Sequence, residues 1–233
     1  MTSDSRAWQW QFGSLASQPA GREPTMPAQS PLVIKLGGSL LSQSGWPQGI
    51  AELLRAIPAP SRESPAGSAA GEPAHSPALL VIGGGSVVDG LRQIDAASPQ
   101  PAELMHALAI ELMGVTARLV AANTALPLVA EWPNAKARGA CLLDVPQWLA
   151  ENQRLSTLPV GWEVTSDSIA ACVAAAYGGE LLLVKSVPPP RGPDRLHQLE
   201  ALAAAGWVDS HFPSAAAGLA TISWAAPRTL HLR

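Results

Sequence analysis

Three short apolar runs constrain this chain most: "LVIKL" at 32–36, "ALLVI" at 78–82 and "LLLV" at 181–184. Each spans only four or five residues and stops at a lysine or a glycine. Runs of that length, bounded by turn residues, read as strands buried on both faces. Between them lie stretches with helical spacing. In "PQGIAELLRAI", Ile50, Leu53, Leu54 and Ile57 share one face. "SVVDGLRQI", "PAELMHALAIELMGVTARLVAAN" and "TSDSIAACVAAAYGG" read as further helices, the last with a polar start and a glycine stop. "LPLVA", "ACLLDV" and "TISWA" read as more strands; "PQWLAEN", "RLHQLEALAAAG" and, more weakly, "FPSAAAGLA" read as helices. Strand and helix alternate across the chain, so the expected fold is α/β: a mainly parallel sheet with helices on both faces.

Two regions fall outside that rhythm. Residues 1–30 are rich in Ser, Gln, Pro, Ala and Gly and are expected to be a disordered arm, with Trp8, Trp10 and Phe12 alternating as in a short strand. Residues 58–77, "PAPSRESPAGSAAGEPAHSP", are expected to be an exposed low-complexity loop. The folded part is expected to run from 31 to 233 as a single domain.

Composition narrows the function. Charged residues are 14% of the chain, the net charge is −3, and no basic stripe is visible, so nucleic acid is not an expected partner. Cys141 and Cys172 sit in apolar surroundings without metal-ligand or disulfide spacing. No continuous apolar run of about 18 residues suggests a membrane span. The first residues lack the apolar core of a secretory signal, which makes the cytoplasm the expected location. The lysines are Lys35, Lys136 and Lys185, and two of the three end apolar strands.

That placement draws attention to "KLGGS". In parallel α/β sheets, ligands bind at the carboxyl ends of strands, and Lys35 lies near that edge. Gly37 and Gly38 let the backbone approach a ligand, with amides that can face an anion beside a helix start. The stretch lacks the Walker pattern, and an ordinary turn with a lysine reaching for solvent would look the same. "VIGGGS" repeats the device, so Gly83, Gly84 and Gly85 offer a second anion-friendly loop at the same sheet edge. In "VTSDSIAA", Thr165, Ser166, Asp167 and Ser168 are each candidates for a helix cap. A carboxylate among three hydroxyls is also placed to orient lysines or ligand hydroxyls. Lys185 ends its strand as Lys35 does, and alone it reads as a solvated strand end.

Together, "KLGGS", "GGG", "TSDSIAA" and "LLLVKSV" resemble, in order and spacing, the amino acid kinase family, over about residues 31–233. "GGGSVVDGLRQID", "HALAIELM", "WEVTSDSIAA" and "AGWVDSHFP" look closest to the kinases of methanofuran biosynthesis, which phosphorylate an aminomethylfuran phosphate. The resemblance implies a three-layer αβα sandwich around a mainly parallel sheet of about eight strands. It implies an acceptor-binding part at 31–160, a nucleotide-binding part at 161–233, and an ATP-dependent phosphotransferase with Mg2+ carried on the nucleotide. It also implies a small-molecule phosphoryl acceptor and a homo-oligomer, a dimer or larger. By resemblance, Lys35 bridges donor and acceptor, Gly37, Gly38 and Ser39 line the nucleotide phosphates, and Asp167 orients the lysines with Ser166 beside it. Gly83, Gly84 and Gly85 serve the acceptor, with His106 a further acceptor-facing candidate.

The chain departs from the family after its "LLLV" strand. Many members carry Thr-Asp-Val-Asp-Gly there; this chain has Lys185, Ser186 and Val187, then three prolines. Many members also carry a second catalytic lysine downstream, and here no lysine follows Lys185. Lys185 itself, Arg191 or Arg195 would have to supply the charge, and arginine's fixed fork is not equivalent to a mobile ammonium. The competing expectations are therefore a catalytically weak or inactive scaffold that binds a nucleotide or oxyanion, and a regulatory or assembly subunit. Trp46, Trp132, Trp162 and Trp207 read as packing groups.

Overall fold

A computed structural model of the 233-residue chain describes residues 8–17, 31–57, 77–132, 139–152, 158–190 and 198–228. Most of the expected loop at 58–77, along with Lys136, Arg191 and Arg195, lies outside them. Seven strands form one sheet: β1 Trp10–Ser17, β2 Leu32–Leu36, β3 Ala78–Ile82, β4 Leu128–Val129, β5 Ala140–Leu143, β6 Glu180–Val184 and β7 Thr221–Pro227. Their order is β1-β7-β6-β2-β3-β5-β4, and every pairing is parallel except β1 with β7. The helices are α1 Trp46–Ala56, α2 Gly85–Ala97, α3 Ala102–Thr124, α4 Val145–Glu151, α5 Ser166–Tyr177, α6 Gln198–Ala204 and α7 Phe212–Ala215. They cover both faces of the sheet, which gives the three-layer αβα sandwich.

Three details differ from the sequence expectations. Among the described residues the strands number seven rather than about eight. Part of the N-terminal arm is a strand: β1 pairs antiparallel with β7, Trp10 opposite Pro227. Burial explains why. Leu15 is buried in the core, and the Trp10 indole N–H donates to the Gly49 carbonyl, so the segment gains enough contact to offset its ordering. Finally, the turn after β2 is a five-residue 3-10 segment, Gly38–Ser42, rather than the start of an α-helix.

Side-chain alternation along the strands sorts the two layers. Ile34 and Leu36 of β2, Leu80 and Ile82 of β3, and Leu182 and Val184 of β6 face Leu40, Ile50 and Leu53 on one side. Val33, Leu79, Val81, Leu181 and Leu183 face the other side, against Ile169, Ala170, Val173 and Ala174 of α5 and Trp148, Leu202 and Phe212. The residues of α5 are apolar almost all round because the helix is buried on nearly every side. By length and composition α3 could cross a membrane; in this fold it buries Met105, Met113, Thr116, Ala117 and Val120 within the protein.

The sheet order reverses at β2. From β2 the chain proceeds to β3 and β5 on one side, while β6 and β7 lie on the other. A crevice therefore opens at the carboxyl ends of β2, β3 and β6, the place where such sheets bind ligands.

Candidate functional site

Alternation settles where the strand-end lysines point. Lys35 follows Val33 by two residues, so its side chain joins the layer of α5. Lys185 follows Leu181 and Leu183 and does the same. Because Lys35 of β2 pairs in register with Leu183 of β6, it neighbours Lys185, the residue that directly follows β6. The first turn of α5 lies above them and carries Asp167. Lys35 Nζ is 2.8 Å from Asp167 Oδ1, and Lys185 Nζ is 2.6 Å from Oδ2. The side chains of Lys35 and Asp167 expose 6% and 5% of their surface and that of Lys185 15%, so all three charges are largely out of water.

Two ammonium groups share one carboxylate, which leaves a positive charge in excess in a desolvated place. Burial pushes the Lys185 ammonium down to about 8, Lys35 adds repulsion, and Asp167 only partly restores it. For Asp167, burial alone would raise the carboxyl, but the two lysines hold it below the usual carboxylate range. Lys185 also lies 5.2 Å from the centre of the Trp207 ring, whose indole N–H donates to the Val187 carbonyl. Trp207, expected only to pack, is thus a wall of the Lys185 seat.

The two glycine turns meet beneath this cluster. A Cβ on Gly38 would lie 2.2 Å from the Gly85 nitrogen and 2.4 Å from the Gly83 oxygen, so only glycine lets the loops touch there. Gly85 itself takes φ +55°, a left-handed conformation that glycine adopts at no steric cost. The glycine amides are not equivalent. Gly37 donates to the Val184 carbonyl at 2.8 Å and Gly83 to the Leu36 carbonyl at 2.9 Å. Those two bonds extend the sheet, so neither amide is free to hold a phosphate as the sequence suggested. The amides of Gly38, Gly84 and Gly85 have no hydrogen-bond partner among the described residues.

At the start of α5, Thr165 is the cap: its hydroxyl accepts from the Asp167 amide. Asp167 is therefore not spent as a cap. Ser166 Oγ lies beside Gly83, 2.8 Å from where a Cβ would stand. Asp209, which sequence reasoning passed over, accepts from the Thr165 amide and hydroxyl at 3.0 and 2.8 Å and from the Ser168 amide at 3.1 Å. Its other oxygen accepts from the Ser168 hydroxyl. No local pattern announces that role, since the partners lie about 40 residues apart in sequence.

Lys35, Asp167, Lys185, Thr165, Ser166 and the glycines of both turns line a cavity of about 240 Å³. Its lining combines the polar Lys35, Gly38, Gly84, Gly85, Asp167 and Lys185 with the apolar Val88, Ile110, Met113 and Ile169 and with His106, Arg92 and Trp162. Ser39 also borders the cavity, and its hydroxyl reaches Ser186 Oγ at 3.4 Å. His106 Nδ1 lies 3.3 Å from the Gly161 oxygen, which ties α3 to the loop before α5. The Arg92 guanidinium lies 4.9 Å from the centre of the Trp162 ring, and Trp162 donates to Asp95 at 2.7 Å. That bond holds the Asp95 carboxyl below its ordinary range. The structure thus brings Lys35, Gly37, Gly38, Ser39, Gly83, Gly84, Gly85, His106, Ser166, Asp167 and Lys185 around one cavity, with Arg191 outside the described residues.

No family model matches the chain. No curated protein matches it either. Among solved structures it is similar to the uridylate kinase from Archaeoglobus fulgidus, at 13% sequence identity and a TM-score of 0.47, with 83% of this chain and 99% of that chain covered. A likeness of that extent says nothing about reaction or substrate.

Proposed function

We propose that the chain is an ATP-dependent phosphotransferase acting on a small phosphorylated or carboxylated metabolite. The observation that carries this reading is the excess positive charge of Lys35 and Lys185 around one shared carboxylate, in a cavity also lined by Gly38, Gly84 and Gly85, whose amides have no hydrogen-bond partner among the described residues. Placing two cations out of water costs stability, and a single carboxylate does not compensate both. A bound phosphoryl group supplies the missing negative charge.

Phosphoryl transfer suits such a site. Its transition state is loose, so catalysis consists mainly of holding donor and acceptor in line and stabilising charge on the transferred group. In this reading Lys35 and Lys185 contact the transferred group. Gly38, Gly84 and Gly85 donate to phosphate oxygens. Asp167 keeps the two ammonium groups at fixed positions without touching the substrate. An oxygen of the acceptor attacks the γ-phosphorus while the bond to the ADP oxygen breaks. Asp167 is already held by lysines, and among the described residues no group of three His, Cys, Asp or Glu could hold a metal. Mg2+ would therefore be held by phosphate oxygens and water.

The absence of a lysine after Lys185 is compatible with this chemistry, because Lys185 already stands beside Asp167 and Lys35. Apolar lining by Val88, Ile110, Met113 and Ile169, together with Arg92 and His106, suits an acceptor with a short apolar body, which supports an aminomethylfuran phosphate as the finer form of the reading. Exposed Val87, Ile94, Leu104, Val115 and Leu119 on α2 and α3 support a dimer or larger assembly. A second reading, binding without transfer, is favoured by Pro188–Pro190 directly after the Lys185 loop, since prolines offer no amide to a nucleotide.

The test is ATP turnover with Mg2+ and a panel of anionic acceptors that includes aminomethylfuran phosphate, followed by 31P NMR. Acceptor-dependent ADP release is expected. Nucleotide binding with no transfer across the panel would establish the second reading instead.

A further inference from the structure

The mechanism above uses Asp167 and the lysines but leaves the segment 207–209 without a role. That segment touches the site twice. Trp207 backs the Lys185 ammonium and donates to the Val187 carbonyl, three residues past the end of β6. Two residues later, Asp209 collects four donors from the first turn of α5: both the amide and hydroxyl of Thr165 and both the amide and hydroxyl of Ser168. Thr165 and Ser168 flank Asp167 on either side. The Asp209 carboxylate also sits at the positive end of α5, where a negative charge is favoured.

We propose that Asp209 is a positioning residue: by holding Thr165 and Ser168 it fixes Asp167 between Lys35 and Lys185, while Trp207 on the same segment seats the Lys185 ammonium. Asp209 makes no contact with Lys35 or Lys185 in this structure. It acts through the turn it holds. A carboxylate suits this position: one oxygen takes three donors and the other takes the Ser168 hydroxyl, whereas an asparagine loses the negative charge and turns an NH2 group toward either the Ser168 hydroxyl or the other three donors. The segment between Gly206 and α7 is thereby a strut that joins the end of β6 to the start of α5, the two places that carry Lys185 and Asp167. Cys172 on α5 also feels Asp209, which, after burial, helps keep its thiol protonated.

The inference is independent of any reaction and is tested without a substrate. The chain has three lysines, so lysine labelled with 13C at Cε gives three NMR signals, and Lys185→Arg assigns one of them. The groups facing Lys185 are Lys35 from β2, Asp167 from α5 and Trp207 from the strut. In the wild-type protein the Lys185 signal titrates near pH 8. In Asp209→Asn, Asp167 is no longer held at 2.6 Å, its attraction weakens, and the Lys185 midpoint moves down by half a pH unit or more. Thr165→Val and Ser168→Ala each delete one hydroxyl donor and move it by less, in the same direction. These two variants also serve if Asp209→Asn does not fold. Asp209→Glu, which keeps the charge and both acceptor oxygens, returns the midpoint toward the wild-type value. A second probe is inorganic tripolyphosphate, whose affinity falls several-fold in Asp209→Asn at pH 7.5. A Lys185 midpoint unchanged in Asp209→Asn, or in both hydroxyl variants where Asp209→Asn is unfolded, overturns the proposal whatever the fate of the phosphotransferase reading. A wild-type protein that shows the titration yet ignores tripolyphosphate would count against that reading alone.

Discussion

Lys185 Nζ stands 2.6 Å from Asp167 Oδ2, while Lys35 Nζ takes the other oxygen of the same carboxylate at 2.8 Å. Lys35 lies one residue before the end of β2 and Lys185 one residue after the end of β6, and each points to the layer of α5 because it keeps the alternation of the residues before it. The site is thus a consequence of strand register: Lys35 pairs with Leu183, which brings Lys185 within reach of the same carboxylate.

Lys35→Ala should fold normally and lose at least ~10²-fold in turnover, the scale of deleting one transition-state electrostatic contact. The same substitution removes a repulsive neighbour, so the Lys185 midpoint should rise above about 8. Steady-state kinetics beside NMR titration of Lys185 checks both halves. Wild-type turnover in this variant would remove Lys35 from the reaction.

Asp167→Asn leaves two buried ammonium groups without their counter-charge. Removing one partner from a buried ion pair typically costs about 3 kcal/mol or more. Urea denaturation should show a loss of that order, and added phosphate or tripolyphosphate should recover part of it by mass action. Unchanged stability would mean that the lysines are not held as described.

The pH dependence follows from Lys185. Its folded-state midpoint of about 8 lies below the ordinary 10.5, so between those values the unfolded chain binds the extra proton. Stability attributable to this group is therefore least below pH 8 and rises as pH climbs through 8 toward 10.5. Anion binding runs the other way. A bound phosphate favours the charged lysine, so affinity for tripolyphosphate should fall above pH 8, by up to about tenfold per pH unit, with proton uptake. Calorimetry in buffers of different ionisation enthalpy measures that uptake, and an affinity flat from pH 7 to 9.5 would contradict it.

Gly38→Ala places a methyl group against the backbone of Gly83 and Gly85. The loops must separate, at a cost of about 1–3 kcal/mol. Anion affinity should fall about tenfold or more because the contact of Gly38 with Gly83 and Gly85, which sets the positions of the two turns' amides, is broken. Thermal melts and tripolyphosphate titration report the two effects separately.

Much of this was legible in the chain. The short strands, the intervening helices and the glycine turns fixed the α/β layering, and Lys35, Asp167 and Lys185 stood out by residue type and place. What the sequence hid was long-range. Gly37 and Gly38 look alike in "KLGGS", yet Gly37's amide continues the sheet toward Val184 while Gly38 packs on Gly85. That distinction needs the neighbouring strand. Asp209 carries no signal of its own in the sequence because its four donors lie at a helix start about 40 residues earlier. Residues 10–17 read as arm because their partner strand β7 is at the far end of the chain, although the Trp8, Trp10, Phe12 alternation pointed to a strand.

The most direct measurement is a crystal structure with a non-hydrolysable ATP analogue and Mg2+. The account predicts the terminal phosphate within hydrogen-bond distance of Lys35 and Lys185, with amides of Gly38 and Gly84 or Gly85 on its oxygens and Asp167 still between the lysines. An analogue whose phosphates lie away from this cavity, leaving Lys35 and Lys185 paired with Asp167 alone, would contradict it.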